Sequence, residues 1–86
     1  MKGTVAIIRE QGQVFSVVAV KDNALHPGQR EQTLRSAQMQ FGLRTAIIGE
    51  RQHQTYGPTD IVRWLQGVHI AQLPWREFTI PDEKAA

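Results

Sequence analysis

Polar residues able to act as acids, bases, metal ligands or anion contacts occur in two short segments of this sequence. The segments follow the stretches that end at Lys21 and at Gly49. Carboxylates, imidazoles, guanidinium groups and hydroxyls are the side chains from which acid–base, metal and phosphate sites are built. We treat eight residues as candidate ligand-binding residues: Asp22, Asn23, His26, Glu50, Arg51, His53, Tyr56 and Thr59.

The spacing of these residues does not match a catalytic or metal-binding motif. No two histidines have the close helical spacing of zinc ligands. The run Glu50-Arg51-Gln52 has glutamine where a magnesium-dependent nuclease would carry a lysine. Neither Ser16 nor Ser36 has the glycine-flanked setting of a serine nucleophile. We therefore predict no metal and no cofactor.

The segment Gly57-Pro58-Thr59-Asp60 has two interpretations. One is an anion site, because the free N–H groups at a helix start attract phosphate and Arg51 would assist. The other is a helix cap, because Thr59 can accept a hydrogen bond from such an N–H group and Asp60 would repel an anion. We favour the cap, since the sequence has no Walker or dinucleotide-binding glycine pattern.

A nucleic-acid surface is another alternative, because ten Lys and Arg against eight Asp and Glu give the chain a net charge of +2. The excess is small, and acidic residues interrupt the basic ones along the chain, so charge alone does not predict this function. The candidate residues for nucleic-acid contact are four arginines: Arg30, Arg35, Arg44 and Arg63.

Length and composition indicate a globular domain. With 86 residues, of which 41% are hydrophobic, the chain is long enough for one core, which we assign to residues 1–81, with a frayed tail at 82–86. The absence of cysteine excludes disulfides, thiol nucleophiles and thiolate metal sites. The apolar run Val5–Ile8 is too short for a secretory signal or a membrane span, so we expect a cytoplasmic protein without membrane contact.

Apolar periodicity predicts the element order β-β-α-β-α-β in a small four-stranded mixed sheet, an α/β fold with α+β as the alternative. Glycine, proline and Thr59 mark the element ends. The predicted segments are a β-hairpin of Thr4–Arg9 and Val14–Lys21, a helix from Pro27 to Phe41, a strand at Leu43–Gly49, a helix capped by Thr59, and a strand at Trp75–Ile80.

Two right-handed crossovers would make the second, third and fourth strands parallel, with the third at the sheet centre and the first antiparallel at an edge. The second strand is apolar on both faces except at Ser16, so we expect it to be internal and covered twice. If both helices cover one sheet face, the exposed face favours a homodimer. If they cover opposite faces, a monomer suffices.

Ligands of parallel sheets bind beyond the carboxyl ends of the strands, which places any cleft between the loops that follow Lys21 and Gly49. Because the sequence lacks a catalytic signature, we favour a non-enzymatic binding or regulatory module for an unidentified ligand or protein partner. The alternatives are a small metal- or phosphate-dependent enzyme at the strand ends and a nucleic-acid-associated protein.

Overall fold

The computed structural model describes residues 2–10 and 12–79, so the predicted tail at 82–86 lies outside the described residues. Its regular elements include five strands, two α-helices and two short 3₁₀ turns. The strands are β1 (Lys2–Glu10), β2 (Gln13–Val20), β3 (Arg44–Gly49), β4 (Thr55–Tyr56) and β5 (Trp75–Thr79). The helices are α1 (Arg30–Phe41) and α2 (Thr59–Leu65), and the 3₁₀ turns are Asp22–Leu25 and Ile70–Gln72.

The five strands form one mixed sheet in the order β4-β3-β2-β1-β5. The predicted hairpin is confirmed, because β1 and β2 pair antiparallel from Thr4 opposite Ala19 to Glu10 opposite Gln13. The predicted parallel crossover through α1 is also confirmed, since β2 and β3 pair in parallel. The mixed α/β class therefore agrees with the sequence analysis.

Three details of the predicted sheet are wrong. The first strand lies between β2 and β5 rather than at an edge, because β5 pairs antiparallel with β1 instead of joining the parallel pair. Consequently β2, and not β3, is the central strand. The sheet also has one strand more than the predicted four. This additional strand is the two-residue β4, which lies in a segment predicted to be a loop and pairs with Ile47 and Ile48 of β3. Two residues are too few for a periodic pattern to reveal.

The two helices pack on opposite faces of the sheet, so the fold has three layers. The face covered by α1 carries the buried residues Val5, Val18, Val20, Leu25, Ala37 and Ile47. The face covered by α2 carries Ala6, Ile8, Phe15, Val17, Ala19, Ala46, Ile48, Ile61 and Leu65. This is the arrangement for which a monomer suffices, while the oligomeric state itself stays a prediction.

The helix boundaries are explained by backbone geometry. Helix α1 begins at Arg30, later than the predicted Pro27, and ends as predicted at Gly42, whose φ of 63° is left-handed and whose N–H donates to the carbonyl of Gln38. Pro58 precedes α2 and no side chain caps that helix start, so the predicted Thr59 cap is wrong. Among the described residues, no helix is long and apolar enough to cross a membrane.

A short hydrogen-bond chain is buried between the two parallel strands. The hydroxyls of Ser16 and Thr45 lie 2.7 Å apart, and both residues are fully buried. Because the single hydroxyl proton of Thr45 is donated to the carbonyl of Leu43 at 2.8 Å, the Ser16 hydroxyl must be the donor to Thr45. Ser16, which sequence reasoning placed in mid-strand, therefore has a structural role.

We expect Thr45→Val to lower the free energy of unfolding by about 1–3 kcal/mol, because it leaves the buried Ser16 hydroxyl without an acceptor. The double variant Ser16→Ala/Thr45→Val should recover most of that loss, since both polar groups are then absent. Urea unfolding of the two variants and of Ser16→Ala measures this recovery. Strictly additive effects of the single substitutions would contradict the hydrogen-bond chain.

Candidate functional site

The carboxyl ends of β2 and β3 are held together by the carboxylate of Asp22. Its Oδ1 accepts hydrogen bonds from the backbone N–H groups of Arg51 at 3.2 Å and Gln52 at 3.4 Å. The N–H of Glu50 donates to the carbonyl of Val20 at 2.9 Å and extends the parallel pairing by one residue. Asp22, a candidate acid or metal ligand by sequence, is therefore engaged in fixing the turn after β3.

Gly49 makes this close approach feasible. A Cβ atom at Gly49 would collide with Oδ1 of Asp22 and lie 3.0 Å from a methyl group of Leu25. The absence of a side chain thus lets the Asp22 turn pack directly on the end of β3. The loops after Lys21 and Gly49 come together as the sequence analysis predicted, although the reason is backbone packing.

Two clefts open at this end of the sheet. The first lies on the face covered by α2, has a volume of about 350 Å³, and is called the α2-face cleft here. It is lined by Thr4, Ala19, Ile48, Gly49, Glu50, His53, Ile70, Ala71 and Trp75. The second, of about 310 Å³, is lined by Lys21, Asp22, Asn23, Glu50 and Arg51. Glu50 contributes to both clefts.

The α2-face cleft combines an apolar interior with polar residues at its mouth. Ala19 and Ile48 are buried sheet residues that form its floor, whereas Glu50 and His53 are exposed. His53 has a φ of 55°, a left-handed conformation that is uncommon for a residue other than glycine. The turn after β3 thus places one carboxylate and one imidazole beside an apolar floor.

Trp75 forms a fixed wall of this cleft. Its indole N–H donates to the carbonyl of Ile70 at 2.7 Å and thereby ties the start of β5 to the 3₁₀ turn Ile70–Gln72. Trp64, by contrast, packs edge-on against Phe15 with ring centroids 5.2 Å apart, as expected for a core tryptophan. Of the two tryptophans, Trp75 is the one that lines the α2-face cleft.

The other candidate ligand-binding residues lie elsewhere. His26 is exposed, and its carbonyl accepts the N–H groups of Gln29 and Arg30. Tyr56 packs with the core on the opposite face, where the Arg30 guanidinium carbon lies 4.5 Å from its ring centroid. Thr59 lies near the amino end of β3, because its neighbour Asp60 is paired with Arg44. The eight residues therefore do not form one site.

The four candidate arginines do not form a common surface. Arg44 is committed to a bidentate pair with Asp60, with both N–O distances 2.7 Å. This pair lowers the pKa of Asp60, mainly through the hydrogen bond, and raises the pKa of Arg44. Arg30 and Arg35 are both residues of α1, and the Arg30 guanidinium packs over the ring of Tyr56. Arg63 is a residue of α2, which covers the other face of the sheet.

Sequence reasoning missed the apolar part of the cleft. Ala19, Ile48 and Ile70 have the same residue types as core positions, so no sequence signal separates a cleft floor from a core. The polar mouth of the cleft includes two of the residues proposed from the sequence, Glu50 and His53. Within residues 2–10 and 12–79, no three His, Asp or Glu side chains lie close enough to hold one metal ion.

Comparison with protein-family models, with curated proteins and with solved structures gives no match for this chain.

We expect Gly49→Ala to lower the free energy of unfolding by about 1–3 kcal/mol, because the new methyl group would push Asp22 and Leu25 away from β3. Gly28→Ala is the matched control, because a Cβ there meets nothing within 4 Å. It should change stability by less than about 0.5 kcal/mol. Equal effects of the two substitutions in urea unfolding would show that the close approach at Gly49 has no energetic importance.

The Arg44–Asp60 pair predicts a pH-dependent contribution to stability. Because the pair lowers the pKa of folded Asp60, its contribution is complete above the unfolded value of about 3.9 and disappears as the pH falls through the folded pKa. Asp60→Asn should therefore be slightly less stable than the parent at pH 7, and the difference should be smaller at pH 2. Urea midpoints at the two pH values test this, with Glu77→Gln as an exposed control. A constant difference would contradict the assignment.

Proposed function

We propose that this protein is a small-molecule-binding module and that the α2-face cleft is its ligand site. The observation that carries the proposal is the cleft itself, whose volume of about 350 Å³ falls within the range of small-ligand pockets. An apolar floor with a few polar groups at the mouth is typical of such sites. The position beyond the carboxyl ends of a parallel strand pair supports the same conclusion.

The lining indicates the chemistry of the ligand. Trp75, Ile48 and Ile70 offer a flat and apolar surface, which suits an aromatic or branched aliphatic group. Among the described residues at the mouth, Glu50 supplies a carboxylate, which accepts hydrogen bonds only. The cleft therefore favours a compact apolar molecule that carries an amine or another donor group.

Binding is better supported than catalysis. The carboxylate of Asp22, the other acid at the strand ends, is occupied by two backbone N–H groups, so it is not poised beside Glu50 and His53 as a second acid or base. Among the described residues that line the cleft there is one hydroxyl, that of Thr4, and no lysine. A binding or regulatory module fits this composition more simply than a hydrolase or a phosphoryl-transfer enzyme does.

Three fragments of similar size and different charge test the ligand chemistry. Benzylamine, benzyl alcohol and phenylacetate should be titrated into the ¹⁵N-labelled protein and followed by amide chemical shifts. We expect the largest shifts at Ala19, Glu50 and Ala71, and the affinity order amine, alcohol, carboxylate. Glu50→Gln should remove the preference for the amine over the alcohol.

Ala71→Phe should block the site, because Ala71 is an exposed residue that lines the cleft and a phenyl ring there would fill it. Gln72→Phe is the matched control, since Gln72 is exposed in the same 3₁₀ turn and does not line the cleft. We expect fragment shifts to vanish in the first variant and to persist in the second, with both variants folded by circular dichroism. Unchanged binding in Ala71→Phe, or shifts confined to other surfaces, would refute the proposal.

A further inference from the structure

Strand β1 is longer than its outer partner. On one side it pairs with β2 as far as Glu10, whereas on the other side its last partner in β5 is Trp75, opposite Ala6. Pro74 precedes this pair and has no N–H group with which to continue the ladder. Within the described residues, the outer side of Ile7–Glu10 therefore has no paired strand.

This open edge has the length of a short peptide strand. Its four residues span about 13 Å at the rise of a β-strand. They are held straight by the hairpin, in which Ile7 lies opposite Ser16 and Arg9 lies opposite Val14. Unpaired N–H and C=O groups on such an edge are a template on which another strand can pair.

The surface beside the edge is apolar where the helices leave the sheet uncovered. Ile7 is 39% exposed and Val14 is 41% exposed, and together they account for two of the three exposed large apolar residues in the described part of the chain. Ile7 also lines a shallow groove of about 450 Å³ with Arg9, Pro74 and Arg76. The groove lies on the α1 side of the sheet, because Arg76 pairs with Val5.

The charge of the groove determines which strand it would accept. Arg9 and Arg76 are both exposed, and no salt bridge to either is present among the described residues. A second copy paired through the same edge would bring four arginines onto one continuous sheet face, where like charges oppose association. An acidic strand would instead place a carboxylate beside each guanidinium.

We infer that the open edge of β1 binds an extended acidic segment of a partner protein, which adds as a strand along Ile7–Glu10 in line with β5. An apolar side chain of that segment packs on Ile7, and an acidic side chain two residues along lies opposite Arg9. A second acidic side chain lies beside Arg76, where the segment turns off the sheet at the start of β5. Main-chain hydrogen bonds contribute affinity and the two arginines select the charge. This surface is separate from the α2-face cleft.

The test uses three synthetic peptides of seven residues. The first has the sequence Thr-Glu-Thr-Val-Thr-Glu-Thr. The second has lysine in place of both glutamates, and the third is the first with proline in place of the threonine that follows the valine. We expect the glutamate peptide to bind most tightly, to shift the amides of Ile7 and Arg9, and to weaken with added salt. Equal binding of the lysine or the proline peptide would overturn the inference.

Charge reversal in the protein gives the second arm. Arg9→Glu/Arg76→Glu should weaken the glutamate peptide at least about threefold and strengthen the lysine peptide. Arg35→Glu/Arg63→Glu makes the same change of net charge away from the groove and should leave both affinities unchanged. Two results would assign the edge to another occupant: equal competition by oligothymidylate, or a dimer in light scattering that Arg9→Glu changes.

Discussion

The burial of β2 on both faces is the constraint from which the rest of the fold follows. Val17 and Val18 point to opposite sides of the sheet, and both are fully buried. Burying a valine side chain stabilises the fold by about 1.5–3 kcal/mol relative to leaving it exposed. A sheet face without a helix would lose this stabilisation at each of its apolar residues. One helix on each face satisfies the constraint, and it also keeps Arg30 and Arg35 apart from Arg63.

The same constraint determines what remains for binding at the strand ends. Because β2 and β3 are adjacent internal strands that run parallel, the chain leaves both at the same end of the sheet, and the Asp22 turn packs there on Gly49. This packing commits the Asp22 carboxylate to backbone N–H groups. Glu50 and His53 are left beside the apolar floor formed by Ala19 and Ile48, and this is where we place the proposed ligand site.

The parts of the fold that the sequence predicted are those with a local signal. The doubly apolar β2, the hairpin and the end of α1 at Gly42 each follow from periodicity or from one residue's conformational preference. No local sequence pattern indicates the position of β5. A last strand could pair with β1 on one side of the sheet or with β3 on the other, and both alternatives are compatible with the same residues in β5. The run Val5–Ile8, which is apolar on both faces, was in retrospect the sign that β1 is internal.

Adjacent residues at the start of β5 position both proposed surfaces. Trp75 lines the α2-face cleft on one side of the sheet, and Pro74 lines the groove beside Arg9 on the other. The hydrogen bond from Trp75 to Ile70 fixes this segment against the 3₁₀ turn that forms the cleft wall. Trp75 is also the β5 residue that pairs with Ala6 at the end of the β1–β5 ladder. A ligand that contacts Trp75 therefore contacts the segment that borders both surfaces.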